Sequence, residues 1–241
     1  MAPNDGVDIA GTVRERAARE LRDRILTGAL PAGTRLDLDA ITKEFATSRT
    51  PVREALLELS YDGLVRVAPR SGITVIGMSP EDVLDSFTIL GVLTGQAAAW
   101  AAERVTDDGI ERLRTLATDV EAHAGEGAIV DANWNFHREI HRASHSRRLM
   151  AQIRQAVRVV PSNFFAMFPE HEHNALDEHE ALVSALADRD ADKARHIAER
   201  HVLDAGRSLA EWLEHADSGA TRNHTATRDT PAISAPQRVR D

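Results

Sequence analysis

A mainly α fold in two parts is what this sequence predicts: an N-terminal winged helix-turn-helix followed by an all-helical bundle. Three observations carry that expectation. The residues are 42% hydrophobic but only 4% aromatic, a balance rich in Ala and Leu that favours helix over a β-sandwich. Apolar residues recur at helical spacing through most of residues 11–216. Strand-like runs occur only at Leu64–Val67 and Ile73–Ile76, joined by a turn that holds Pro69 and Gly72.

A chain of 241 residues can bury a core in each of two domains. The absence of cysteine excludes disulfides, zinc fingers and thiol catalysis. No apolar run approaches the roughly 20 residues of a membrane span, and "MAPNDGVDIA" lacks the basic and apolar regions of a signal peptide. A cytoplasmic protein with no membrane partner is expected. The formal net charge of −9 is unevenly placed. Residues 1–78 hold 11 Lys/Arg against 11 Asp/Glu, whereas residues 79–216 hold 14 against 24. The acidity belongs to the second part, so it does not oppose nucleic-acid binding by the first.

The elements follow in order. Val13, Ala17, Leu21, Ile25 and Leu26 outline a helix over 12–27, closed by Gly28. "LPAGTRL" reads as a turn. A short helix over 37–45 buries Leu38, Ile41 and Phe45, and a second over 50–62 buries Val52, Leu56 and Leu59. Pro51 sits early in that second helix, where its missing N–H costs nothing. The hairpin completes a winged helix-turn-helix. Beyond "GMSPEDV", Ser79 is a good N-cap and Pro80 fits the first turn. Helices are then expected over 80–103, 107–123, 128–144, 147–166, 173–188 and 190–215. The division is 1–10, a disordered N-terminus; 11–78, the winged domain; 79–216, the helical domain; and 217–241, a disordered tail.

In this setting "FATSRTPVREAL" places Arg49 and Arg53 at the N-terminal end of the second helix of the helix-turn-helix, the end that enters the major groove. Arginine there can make paired bonds to guanine O6 and N7. Ser48 and Thr50 suit phosphates, with the free N–H groups of the helix start. Arg70 and Gly72 in the wing offer a phosphate or minor-groove contact and a close backbone approach. The simpler alternative for the arginines is a solvated face with Arg53–Glu54 or Arg49–Glu44 ion pairs, and for the wing an ordinary hairpin turn.

"SRTPVREALLELSYDGLV" followed by "RSGITV" resembles the DNA-binding domain of GntR-type bacterial transcription regulators, over about residues 10–78. The helical remainder resembles the FCD effector domain of the FadR-like subfamily. The resemblance implies a homodimeric repressor on a palindromic operator, with a small-molecule effector that alters operator affinity.

Histidine forms the second constellation. "NWNFHREIHRASH" puts Asn133, His137, His141 and His145 on one side of a helix, and His179 and His201 follow on later helices. Neutral imidazoles from separate helices are good ligands for zinc or a similar divalent ion. The plainer reading scatters the 11 histidines over polar faces, and His171 and His173, in an acidic stretch read as loop, are assigned to it. The FCD resemblance implies Asn133, His137, His179 and His201 as ligands, with His141 facing the same cavity. It also implies an arginine and a glutamate on the first helix of the domain, where this chain has Leu90 and Thr94. Arg154, Arg158 and Asn163 are the remaining candidates for holding an acidic effector. A metal-dependent enzyme built on the histidines, and a DNA-binding regulator with a structural metal or none, are the competing readings.

Overall fold

The computed structural model describes residues 11–68 and 72–225. Residues 1–10 and 226–241 and the turn residue Arg70 lie outside that range. The first domain is built from α1 (Val13–Leu26), β1 (Arg35–Leu36), α2 (Leu38–Glu44), α3 (Arg49–Tyr61), β2 (Val65–Ala68) and β3 (Gly72–Val75). Thr12 opens α1 through a capping box with Glu15, and Asp37 caps α2 through its side chain. Leu21, Leu26, Ile41, Val52, Leu56 and Leu59 close over one core together with Val65 and Val75 from the sheet.

The stretch "LPAGTRL", read from sequence as a turn, contains a strand. Arg35 and Leu36 pair antiparallel with Thr74 and Ile73, giving the order β1-β3-β2. Gly33, at φ +85°, turns the chain so that its N–H donates to the Val75 carbonyl, and the Val75 N–H donates to that of Thr34. Two residues are too few to display alternation, so the strand exists through its partner.

The second domain consists of α4 (Pro80–Arg104), α5 (Asp107–Ala122), α6 (Ile129–Ala143), α7 (Arg147–Ala156), a 3-10 turn at Val157–Val159, α8 (Phe164–Met167), α9 (Pro169–Ala187) and α10 (Ala191–Thr225). Ser79 and Asp82 form the predicted cap of α4. Three boundaries differ from expectation. The single helix expected over 147–166 is broken, because Pro161 supplies no N–H and forces Val160 into extended backbone at φ −82°, ψ 118°. "FPEHEH", read as a break, begins α9 instead, with Pro169 in the first turn where no intrahelical donor is needed. The last helix continues to Thr225, into the segment from 217 that was expected to be disordered. No proline interrupts it, and each residue added to a formed helix brings one hydrogen bond.

By length and composition α4 could cross a membrane, which the sequence reading had excluded for every segment. One side of it is turned inward, with Val83, Phe87, Leu90, Ala97 and Ala101 buried in the bundle, while Leu84, Ile89 and Val92 on the same helix are exposed. The helix contact of α4 with α10 is the most extensive in the molecule. Glycine makes it close. A Cβ added to Gly206 would lie 2.5 Å from Phe87 Cβ, and one added to Gly95 would lie 2.4 Å from Glu199 Cγ.

The two domains also touch. Arg158, in the 3-10 turn, lies 2.9 Å from Glu58 and 3.7 Å from Asp62, carboxylates that Arg22 approaches from the other side at 3.1 and 2.7 Å. Gln155 donates to Asp62 at 3.0 Å, and the Ser162 N–H donates to Asp23 at 3.1 Å. Met78, in the connecting segment, packs against the cores on both sides.

The glycine contacts differ in what they can tolerate. Gly206→Ala drives a methyl group into the root of a core side chain and is expected to cost about 1–2 kcal/mol, after allowing for alanine's better helix propensity. Gly95→Ala meets the flexible Glu199, which can swing aside, so its melting temperature should stay near that of the parent. Thermal denaturation of the two variants checks the difference.

Candidate nucleic-acid interface and metal centre

The N-terminal end of α3 is open. Ser48, Arg49, Thr50 and Arg53 are all exposed, and Ser48 caps the helix by backbone position alone, with no side-chain bond to it. Its hydroxyl and the first N–H groups of the helix can therefore take a phosphate. Neither simple ion pair considered for the arginines forms: Glu44 binds Arg24, and Arg53 has no ion pair among the described residues. Arg49 instead holds Asp39 of α2 through two bonds, Nε at 2.7 Å and Nη2 at 2.8 Å. That hydrogen bond and charge raise its pKa further, so it is a permanent cation. Both side chains are open to solvent, where such a pair exchanges readily for a base edge or phosphate. Gly72 has φ +87°, a conformation that favours glycine, and no atom lies near where its Cβ would be. Backbone geometry, not crowding within the chain, accounts for glycine there.

In the second domain, α6, α9 and α10 bring His137, His179 and His201 together. One ring nitrogen from each lies within 4.8 Å of the others. His179 Nε2 and His137 Nε2 are 3.3 Å apart, and the three ring centroids are 5.0 to 5.2 Å from one another. Glu178 sits behind the cluster: its carboxylate accepts from His201 Nδ1 at 2.8 Å and lies 3.4 Å from Arg200. That bond fixes the tautomer and leaves His201 Nε2 free as a donor to a cation. Burial pushes the Glu178 carboxyl upward, but the hydrogen bond and charge of His201, with Arg200, hold it below its ordinary value.

Asn133 lies one turn before His137 on α6 and is buried, with Oδ1 lacking any hydrogen-bond partner, and His179 Nδ1 is likewise buried and unpartnered. Asn133, His137, His141 and His201 share one cavity of about 80 Å³. Burial, reinforced by the neighbouring imidazoles, holds His137 and His179 well below the usual histidine range, and burial alone brings His141 to about 4. Neutral imidazoles beside an orphaned amide oxygen suit a divalent cation such as zinc, since no proton need be displaced near neutral pH.

Most of the remaining lining is apolar, with Thr94, Ser162 and His171 as polar exceptions. Phe87 and Leu90 of α4 face the cavity with Val157, Val160, Phe164 and Phe165 from the broken segment. Thr94 also lines it, its hydroxyl donating to carbonyls of its own helix. Of the residues named from sequence as effector contacts, only His141 lines this space. Arg158 is turned to Glu58 and Asp62, Arg154 borders a groove with Arg142 and Arg147, and Asn163 is exposed ahead of α8.

His171 was assigned to scattered surface histidines, yet it is buried, lines the cavity and meets Phe164 edge-on at 5.4 Å. With "FPEHEH" read as loop, the helical register was hidden. His171, Ala175 and His179 are spaced four residues apart on α9, which is the signal that could have found it.

These pKa directions set a stability window. An unfolded histidine takes up its proton near 6.5, whereas folded His141 does so near 4. Between those values the unfolded chain binds more protons, so the metal-free protein loses stability as the pH falls. His141 alone contributes of order 3 kcal/mol across that window, and His137 and His179 act in the same direction. Melting curves at stepped pH should fall steadily from 6.5 to 4, with a shallower fall in His141→Gln.

Comparison with known proteins places the two halves. Residues 13–75 match the family described as bacterial regulatory proteins, gntR family, and residues 85–204 match the FCD domain. The regulator McbR of Escherichia coli is 28% identical over 184 residues, covering 73% of this chain and 83% of its own. A probable D-xylose utilization operon transcriptional repressor of Paenarthrobacter nicotinovorans is 28% identical over 196 residues, 78% of this chain and 87% of its own. The solved structure of E. coli McbR aligns with a TM-score of 0.59 over 88% of this chain and 99% of that one, at 23% identity, a likeness of fold. These relatives are transcriptional regulators and not enzymes, which removes the reading of the histidines as a catalytic centre. With a winged helix-turn-helix matched at one end and a helical effector domain at the other, the chain belongs to the GntR family of DNA-binding transcriptional regulators that carry an FCD domain.

Proposed function

We propose that the protein is a metabolite-responsive repressor that binds a palindromic operator as a homodimer in the cytoplasm. Residues 11–78 read the DNA, and residues 79–216 dimerise and sense a small organic acid. The observation that carries this reading is the position of the three-histidine cluster: it opens into a cavity walled by the same short segment that grips the DNA-reading domain.

On this reading Asn133, His137, His179 and His201 hold a divalent metal, zinc being the first candidate from the donor set. When bound, the metal supplies a Lewis-acidic position for an oxygen of the effector. The chain's own residues do the rest. Glu178 orients His201 from behind, and the apolar side chains of α4 and α8 exclude water. Val157, Val160 and Pro161 form one side of the cavity, while Gln155, Arg158 and Ser162, interleaved with them, hold Asp62, Glu58 and Asp23. A ligand that packs differently against that segment favours one arrangement of the winged domain over another. The coupling is set by its difference in affinity for the two.

Arg49 and Arg53 are the base-reading pair, with Ser48, Thr50, Arg70 and Gly72 at phosphates and the wing. Arg53→Ala is expected to cost about 1–3 kcal/mol on the cognate operator and to relax discrimination at a guanine. Arg70→Ala should weaken all sequences more evenly and flatten the salt dependence. Fluorescence anisotropy on operator and mismatched duplexes reads both; unchanged operator affinity in Arg49→Ala and Arg53→Ala alike would sink the assignment.

The metal reading has its own test. Untagged protein, stripped with a chelator and reloaded with zinc, should take up one zinc per chain and melt at a higher temperature. His179→Gln should lose both effects. No stoichiometric uptake, or a melting curve indifferent to chelation, leaves a regulator without a metal.

A further inference from the structure

We propose that the cavity selects a small monoanion with an apolar body, one carboxylate head on a short hydrocarbon remainder, and rejects acids that carry a second charge. This rests on the metal reading above and specifies the ligand of that same site.

Charge sets the head group. The expected donors are three imidazoles and one amide, with no carboxylate among them, so the donor set leaves a divalent cation's charge uncompensated. The neighbouring carboxylate, Glu178, is bonded to the outer nitrogen of His201 and does not line the cavity. A cation in low dielectric with no anion among its ligands favours one from the ligand. A neutral molecule would leave that demand unmet.

The walls set the body. Among the described residues, no Lys, Arg, Asp or Glu lines the space. Arg158, the near cation, has two carboxylates of the winged domain as partners, and Arg154 borders a different groove. Leu90 and Thr94, the α4 positions facing the site, offer a hydrocarbon and a hydroxyl already bonded to its own helix. Phe87, Val160, Phe164 and Phe165 add apolar surface, and the further polar lining groups, Ser162 with its hydroxyl bonded to Asp23 and the imidazoles of His141 and His171, include no guanidinium or ammonium to pair a second carboxylate. Four protein donors leave a zinc ion at most one further position on expanding to five-coordination, so a second carboxylate would be stranded against those side chains.

Volume sets the size. A cavity of about 80 Å³ offers the space of roughly five to eight water-sized atoms. With three of those positions taken by the carboxylate, a short body of about two to four carbons fits it.

Isothermal titration calorimetry on the full-length, zinc-loaded protein tests the inference, with zinc content measured separately on the same sample. The probes are 3-methylbutanoate, its neutral isostere 3-methylbutanamide, succinate and malonate. The expected ranking has 3-methylbutanoate at least tenfold tighter than each of the others. Phe165→Ala, which opens a half-buried wall away from the metal donors, should raise the preference for hexanoate over 3-methylbutanoate at least fivefold. Succinate or malonate binding as tightly as 3-methylbutanoate overturns the monoanion; equal binding of the amide overturns the charged head. An unchanged preference in a folded, zinc-loaded Phe165→Ala overturns the assigned body position. A sample that takes up no zinc overturns this proposal together with the metal reading, and the zinc measurement tells that outcome from the others.

Discussion

The close contact of α4 with α10 is the constraint on which the effector domain depends. Two helices of this length can lie together over many turns only if some positions carry no side chain. Gly206 supplies that beside Phe87, and Gly95 supplies it beneath Glu199. Because the backbones are near, Phe87, Leu90 and Thr94 of α4 and His201, Val202 and Ala205 of α10 face a common space rather than one another. The remaining helices complete its walls. α6 brings Asn133, His137 and His141, and α9 brings His171. The cavity is thus a consequence of the packing of the two longest helices, with Asn133, His137 and His201 among its lining residues.

Proline then gives that cavity a neighbour of a specific kind: a short connection with two employed sides. Val160 is extended because Pro161 follows it, and the chain turns there instead of continuing α7. Apolar residues of the connection face the cavity, and its polar residues reach Glu58, Asp62 and Asp23. Glu58 and Asp62 are held between Arg22 and Arg158, and Arg22 is nearly buried. Removing one cation from such a group leaves buried charge short of a partner, which costs far more than losing a surface pair. The same carboxylates belong to α3, the helix whose other end presents Arg49 and Arg53. A shift in the connection therefore bears directly on the helix that carries Arg49 and Arg53.

Burial also settles the chemical character of the histidines. An exposed histidine near neutral pH is divided between two protonation states, but His137, His141 and His179 are kept neutral by desolvation. Neutrality suits them to a cation and makes the empty cluster sensitive to acid. Glu178 is the exception in the neighbourhood, since His201 and Arg200 hold it ionised against the effect of its burial.

Much of this was legible in the chain. Ser79 announced the start of α4 through a cap that depends on a few consecutive residues, and the four-residue spacing of Asn133, His137 and His141 fixed them on one face of α6. Local chemistry is enough for such features, and it carried the two-domain plan and the exposed arginines, whereas the choice of His179 and His201 came from the resemblance to the FCD domain. Other features rest on contacts between distant segments. The strand at Arg35–Leu36 exists because β3 is beside it, and His171 became visible only when Pro169 proved to begin a helix rather than end one. Arg154 and Arg158 could not be sorted from sequence, since the partners that tell them apart, Glu58 and Asp62 for Arg158 and the groove with Arg142 and Arg147 for Arg154, are brought near by the packed chain. The sequence determined which groups are available and in what local order; the tertiary structure decided which of them meet, because burial and partner distance are properties of the packed chain alone.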